Sequence, residues 1–154
     1  MSKQKTSRQA VDRYCREHNC KLTPLRRRVL DILLAQKQPL TAYAVLDILK
    51  KSNPKAQVMS VYRVLDFLVT NGLVHRIENL NAFMTCHHLS KRHFSQWLIC
   101  QQCGDVEECI ASDFKQGMQQ ITADTGFSIT SPMIELFGIC RRCRSRQENQ
   151  QRGN

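Results

Sequence analysis

The sequence predicts an α+β protein: an N-terminal winged helix-turn-helix followed by a small α/β domain. Three observations carry this reading. Apolar residues recur at helical spacing in four segments before residue 72, and a short hairpin pattern follows. Two C-x2-C pairs, separated by 36 residues, then follow the first and last strands of a strand–strand–helix–strand pattern. The charge is also split along the chain. Residues 1–85 hold 15 Lys/Arg against 6 Asp/Glu, a net +9, whereas residues 86–140 carry −3 and residues 141–154 carry +4.

A chain of 154 residues allows one large domain or two small ones. The reading divides it into a winged-helix domain over 1–85, a polar linker over 86–93 and a second domain over 94–154 with a polar C-terminal tail. No apolar run approaches the roughly 18 residues of a membrane span. The basic, polar N-terminus has no apolar stretch behind it, so it does not read as a secretory signal and a cytoplasmic location is expected. In a reducing compartment, clustered cysteines hold metal or do redox chemistry more often than they form disulfides, and this chain has eight.

The elements follow in order. Ala10, Val11, Tyr14, Cys15 and His18 share one face of a first helix. Thr23-Pro24 reads as an N-cap with proline at the first helical position, and Leu25, Val29, Ile32 and Leu33 follow at helical spacing. Thr41 caps a third helix with Val45, Leu46, Ile48 and Leu49 inside, ended by Ser52-Asn53-Pro54. Ser60 is expected to cap a fourth, whose Val61, Val64, Leu65 and Leu68 form a buried stripe closed by Asn71-Gly72. Leu73–Glu78 and Ala82–Cys86 make the hairpin around Asn79-Leu80-Asn81. In the second half, Trp97–Cys100 and Val106–Ile110 read as strands, Ser112 to about Gly126 as a helix, and Phe127–Cys140 as a longer strand region bent at Pro132 and Gly138. The tail after Cys143 is expected to fray.

With its buried face assigned, the fourth helix leaves Met59, Ser60, Tyr62 and Arg63 exposed near its N-terminal end. A recognition helix presents that end to the major groove, where Arg pairs bidentately with guanine and Tyr packs on a thymine methyl or bonds a phosphate. The ordinary alternative is a solvated helix end; the hairpin and the basic half shift the balance toward double-stranded DNA. Tyr43, beside the third helix's cap, reads otherwise as a half-buried surface aromatic. Lys21, before the second helix, reads equally as a phosphate contact or a solvated lysine.

Cys100-Gln101-Gln102-Cys103 and Cys140-Arg141-Arg142-Cys143 offer four soft ligands from two tight turns, the donor set of a structural zinc. Gly104 lets the chain turn under the thiolates, and Arg141 and Arg142 offset their charge. A single C-x2-C could be a redox couple, but two pairs that each leave a strand fit that poorly. Cys15 reads as core, while Cys20 and Cys109 have no evident partner. His75, Cys86, His93 and Glu108 could together make a tetrahedral site across the domain junction. Their spacing is weak support, because no two of them form a local motif and lone polar residues are usually solvated.

Five segments together resemble the Fur family of metal-responsive regulators, and within it the zinc-responsive members. They are Leu22-Thr23-Pro24-Leu25-Arg26, Ser60-Val61-Tyr62-Arg63-Val64-Leu65, Gly72-Leu73-Val74-His75, Cys100-Gln101-Gln102-Cys103-Gly104 and Gly138-Ile139-Cys140-Arg141-Arg142-Cys143. They run in family order from about residue 10 to residue 143. The resemblance implies a homodimer held by the second domain. It places the DNA-contacting pair on Tyr62 and Arg63, further contacts on Tyr43 and Lys21, and the sensor ligands on His75, Cys86, His93 and Glu108. His87 and His88 adjoin Cys86 and are alternative ligands. A cysteine in the His-rich stretch after the wing favours zinc over a hard, six-coordinate iron.

The expectation is therefore a zinc-responsive repressor of zinc-uptake genes that binds a palindromic operator as a dimer. Two zinc ions per subunit are expected, one structural and one regulatory. The runner-up is an iron- or peroxide-responsive regulator of the same family. A zinc-ribbon RNA-binding or scaffold protein and a thiol oxidoreductase are the competing classes, and the helix-turn-helix argues against both. No hydrolase or deaminase constellation is visible, so neither an enzyme, a small organic substrate nor a membrane partner is expected.

Overall fold

A computed structural model describes residues 6–89, 95–109, 112–130 and 133–152. The chain forms two compact units, Met1–Arg92 and His93–Asn154. Among the described residues no helix is long and apolar enough to cross a membrane.

The first unit opens with α1 (Arg8–Glu17), whose first turn is capped by the Ser7 side chain, which accepts from the Ala10 N–H. Its end is a Schellman turn. Asn19 adopts φ +54° and the Cys20 N–H bonds the Cys15 carbonyl at 2.9 Å. That geometry brings the third residue from the helix end against the third residue beyond it, so Cys20 packs with Cys15. Both are buried, and burial together with the Cys20 hydrogen bond pushes the Cys15 thiol up to about 12. This pair belongs to the core and is not a reactive dithiol.

Helix α2 (Pro24–Ala35) starts as expected, with Thr23 Oγ1 accepting from Arg26 N and proline at the first turn. Helix α3 (Ala42–Lys50) is capped by Thr41, which accepts from Ala44 N at 3.2 Å. Helix α4 (Val58–Thr70) departs from expectation. It begins two residues before Ser60, with Gln57 at the cap and no side-chain cap bond. Ser60 therefore lies inside the first turn, its N–H bonded to the Gln57 carbonyl, which places Tyr62 and Arg63 one turn in. Asn71 and Gly72 (φ +69°) end the helix.

The wing is β2 (Val74–Ile77), a 3-10 turn over Glu78–Leu80, and β3 (Ala82–Thr85), paired antiparallel from Val74↔Thr85 to Ile77↔Ala82. A two-residue strand β1 (Leu40–Thr41) adds to β3, giving the order β1-β3-β2. The sequence reading misses β1 because two residues carry no alternation. Val29, Leu49, Leu65, Leu68 and Phe83 are among the buried side chains of the core. Leu65 is completely shielded, so Leu65→Ala is expected to cost about 2–5 kcal/mol of stability, read from a urea transition.

In the second unit β4 (Ser95–Cys100) is the central strand, with β5 (Val106–Cys109) antiparallel on one side and β6 (Met133–Gly138) parallel on the other. A parallel neighbour needs a crossover, and α5 (Ser112–Thr125) lies in that connection. Trp97, Ile99 and Val106 are buried. Cys109 gains a partner, its thiol donating to Gln96 Oε1 at 3.7 Å.

Two expectations fail here. The described residues before Met133, 126–130, are not strand, so the long strand region shrinks to β6. The tail expected to fray is helix α6 (Arg141–Arg152). Its Arg, Gln and Glu residues are good helix formers even though few are apolar, and the buried Cys143 anchors its first turn.

Candidate metal centre

The two C-x2-C pairs converge because β4 and β6 run parallel and end together. Cys100 is the last residue of β4 and lies opposite Gly138, the last residue of β6. Gln101 N–H donates to the Gly138 carbonyl at 2.9 Å, continuing the pairing into the turn. Gly104, at φ +68°, takes a left-handed conformation that suits glycine directly after Cys103. Cys140 follows β6, and Cys143 sits in the first turn of α6. The four sulfurs all lie within 4.8 Å of one another.

The electrostatics of the cluster fit a cation. Cys100 Sγ accepts from the Cys140 backbone N–H at 3.3 Å. That bond and a second from the Cys103 backbone lower the Cys100 thiol to about 6. A guanidinium N–H of Arg142 donates to Cys103 Sγ at 3.6 Å. The Cys103 thiol is lowered by the Asp105 backbone first and by Arg142 second. Cys143 goes the other way, pushed up to about 12 by burial and by hydrogen bonds with the neighbouring cysteines. Without a cation, four thiolates this close repel one another, and the most shielded one keeps its proton. A divalent soft metal removes the conflict. Of the two arginines expected to offset the charge, Arg142 makes the contact.

His75 lies on β2, half-buried and opposite Met84. Cys86 follows β3 and is fully buried. The ligand atoms of His75 and Cys86 lie within 4.8 Å of one another. Both backbone groups of Cys86 are held: its N–H donates to the Leu73 carbonyl at 2.9 Å, and its carbonyl accepts from Thr6 Oγ1 at 2.6 Å. In the second unit, Glu108 is a buried carboxylate on β5, opposite Trp97. His87 is half-buried and His88 exposed. His93 lies outside the described residues.

On the winged helix, Arg63 is exposed, while Tyr62 packs partly against the core. Tyr43 on α3 is 61% exposed and Met59 on α4 59%. Lys21 is exposed, and its carbonyl accepts from Arg26 at 2.9 Å. The Arg26 guanidinium lies 3.4 Å over the Phe67 ring, so that cation braces α2 on α4. The sequence reading overlooks Thr6 altogether. It stands 80 residues from Cys86 in the chain, and a lone threonine carries no motif.

A winged helix-turn-helix joined to an α/β unit with a four-cysteine cluster defines a class of metal-binding, DNA-binding regulators. The chain belongs to the Ferric uptake regulator family, whose model matches residues 17–137. It is 36% identical over 134 residues to the zinc uptake regulation protein of Escherichia coli (strain K12), covering 86% of this chain and 78% of that protein. It is 31% identical over 132 residues to the ferric uptake regulation protein of Bacillus subtilis (strain 168), covering 82% and 87%. Among solved structures, a zinc uptake regulator complexed with zinc and DNA superposes with a TM-score of 0.84 at 34% identity, covering 90% of this chain and 93% of that one.

Proposed function

We propose that this chain is a zinc-responsive, DNA-binding repressor of zinc-uptake genes, acting in the cytoplasm as a homodimer on a palindromic operator. The buried Cys86 thiol, with His75 within 4.8 Å of it, carries the choice of zinc as the responsive metal, because a thiolate ligand selects zinc over hard cations. Cys100, Cys103, Cys140 and Cys143 would hold a structural zinc. His75, Cys86, His93 and Glu108 would hold a second, regulatory ion, for two per subunit; the close, largely shielded His75–Cys86 pair supports this. When bound, zinc supplies a charge that thiolate, imidazole and carboxylate share. Ligands drawn from both units would then restrict the spacing of the two recognition helices in a dimer to that of the operator's half-sites. The coupling is reciprocal, so operator DNA tightens regulatory zinc.

Dimerisation through the second unit is supported by its exposed apolar side chains. Phe114, Ile121, Phe127, Leu136 and Phe137 are each at least 39% exposed, and a second copy of the unit would cover such side chains. Arg63 would read a base edge in the major groove with Tyr62 beside it, and Tyr43 and Lys21 would add contacts.

The metal-free protein, titrated with different divalent ions against a labelled operator, tests the reading; restoration by ferrous ion and not by zinc would overturn it. Arg63→Ala is expected to cost about 1–3 kcal/mol at the operator and to relax base choice. Lys21→Ala is expected to weaken binding evenly across sequences and flatten its salt dependence. Parent-like affinity and selectivity for Arg63→Ala would remove α4 as the reading helix.

A further inference from the structure

We infer that Thr6 is a positioning residue for Cys86, holding the end of the wing so that its sulfur is in place before zinc arrives. The inference rests on Cys86 being a ligand of the regulatory ion. The β2–β3 ladder ends at Val74↔Thr85, so Cys86 lies just beyond it. Its N–H finds the Leu73 carbonyl at 2.9 Å. Its carbonyl is taken by the Thr6 hydroxyl at 2.6 Å.

Thr6 stands on a fixed support. It precedes Ser7, the cap of α1. The helix itself is anchored by the buried Val11 and by Tyr14, whose hydroxyl donates to the Asn71 carbonyl at 2.9 Å. Two hydrogen bonds from separate parts of the unit thus lock both peptide groups of Cys86, whose side chain is completely shielded. A ligand already fixed loses less conformational freedom when it binds metal. Outer partners that orient ligands are typically worth 10–100-fold in metal affinity. Val keeps the shape of Thr6 and removes its donor; Ser keeps the donor.

The test uses the full chain with the four-cysteine site filled, titrating the second equivalent of zinc against a chromophoric chelator. Thr6→Val, Thr6→Ala, Thr6→Ser and Cys86→Ser are compared with the parent, and urea transitions of the same samples report stability. Zinc affinity is expected to fall about tenfold in Thr6→Val and Thr6→Ala, to stay near the parent in Thr6→Ser, and to be lost in Cys86→Ser. A Thr6→Val protein that is less stable in urea but binds the second zinc as the parent does would make Thr6 a structural residue only, and overturn the inference while Cys86 remains a ligand. A Thr6→Ser protein as weak as Thr6→Val would overturn it too, since the hydroxyl would not be the cause. Unchanged zinc binding by Cys86→Ser would defeat both the inference and the ligand assignment beneath it.

Discussion

Replacing Cys100 with serine is expected to release the zinc of the four-cysteine cluster and unfold the second unit, leaving the winged helix folded. Cys100 ends the central strand, and its thiol is the one most favoured as thiolate in the cluster, lowered to about 6. Serine keeps the size but loses the soft donor. Metal binding at such a site is folding energy, so loss of one ligand is felt across the unit. The remaining core of the second unit is small, and many of its large apolar side chains are exposed. The first unit keeps its own core of α1 to α4 and the wing. Zinc content by metal analysis should fall by one ion per subunit, and helical signal should fall with it. A folded Cys100→Ser protein with full zinc content would contradict the assignment.

Acid should act in the same direction. Cys100 has a depressed thiol value, so its thiolate favours the folded state above the ordinary cysteine range near 9 and loses that effect as pH falls through about 6. Cys143, pushed up to about 12, must give up its proton for zinc to bind. Zinc uptake therefore releases protons, and retention of the ion should weaken steadily as pH falls.

The second large effect is expected from Cys86→Ser. This protein should keep its fold and its structural zinc but require far more zinc for the same operator occupancy. The shift should be at least the roughly 10–100-fold that loss of an outer partner alone causes. A ligand shifts a population only by its differential affinity for the two states, so a weakened site weakens the response in proportion. Cys86 also packs in the interior, fully shielded, and serine there costs stability; occupancy is therefore compared at matched folded-protein concentration. An unchanged zinc midpoint would leave Cys86 a core residue and remove the main chemical reason for choosing zinc over iron.

Most of the fold was legible because its signals are local. Thr23-Pro24 and Thr41 cap their helices through bonds three residues away. The stripe Val61, Val64, Leu65, Leu68 is buried as its spacing requires. The start of α4 is not legible, because Ser60 has the chemistry of a cap whereas Gln57 occupies that position with no side-chain bond to announce it. The helix in the tail is hidden by a polarity that also suits a frayed end, although its residues favour helix. The Cys15–Cys20 pairing could have been found, since a helix end followed by Asn-Cys is a Schellman pattern within six residues.

For the candidate metal centre the division is sharper. Local patterns in the chain specify which atoms are available: two C-x2-C turns, the cysteine and histidines around the wing's end, and a basic first half. Those facts depend on residues within a few positions of one another. Which of these atoms meet is set by the packing of whole elements. The parallel pairing of β4 with β6 carries Cys140 back to Cys100 across 40 residues. The packing of α1 into the core of the first unit carries Thr6, just before it, to Cys86 across 80. Such contacts follow from burial of apolar surface summed over whole elements, and no spacing rule between two distant residues encodes that sum.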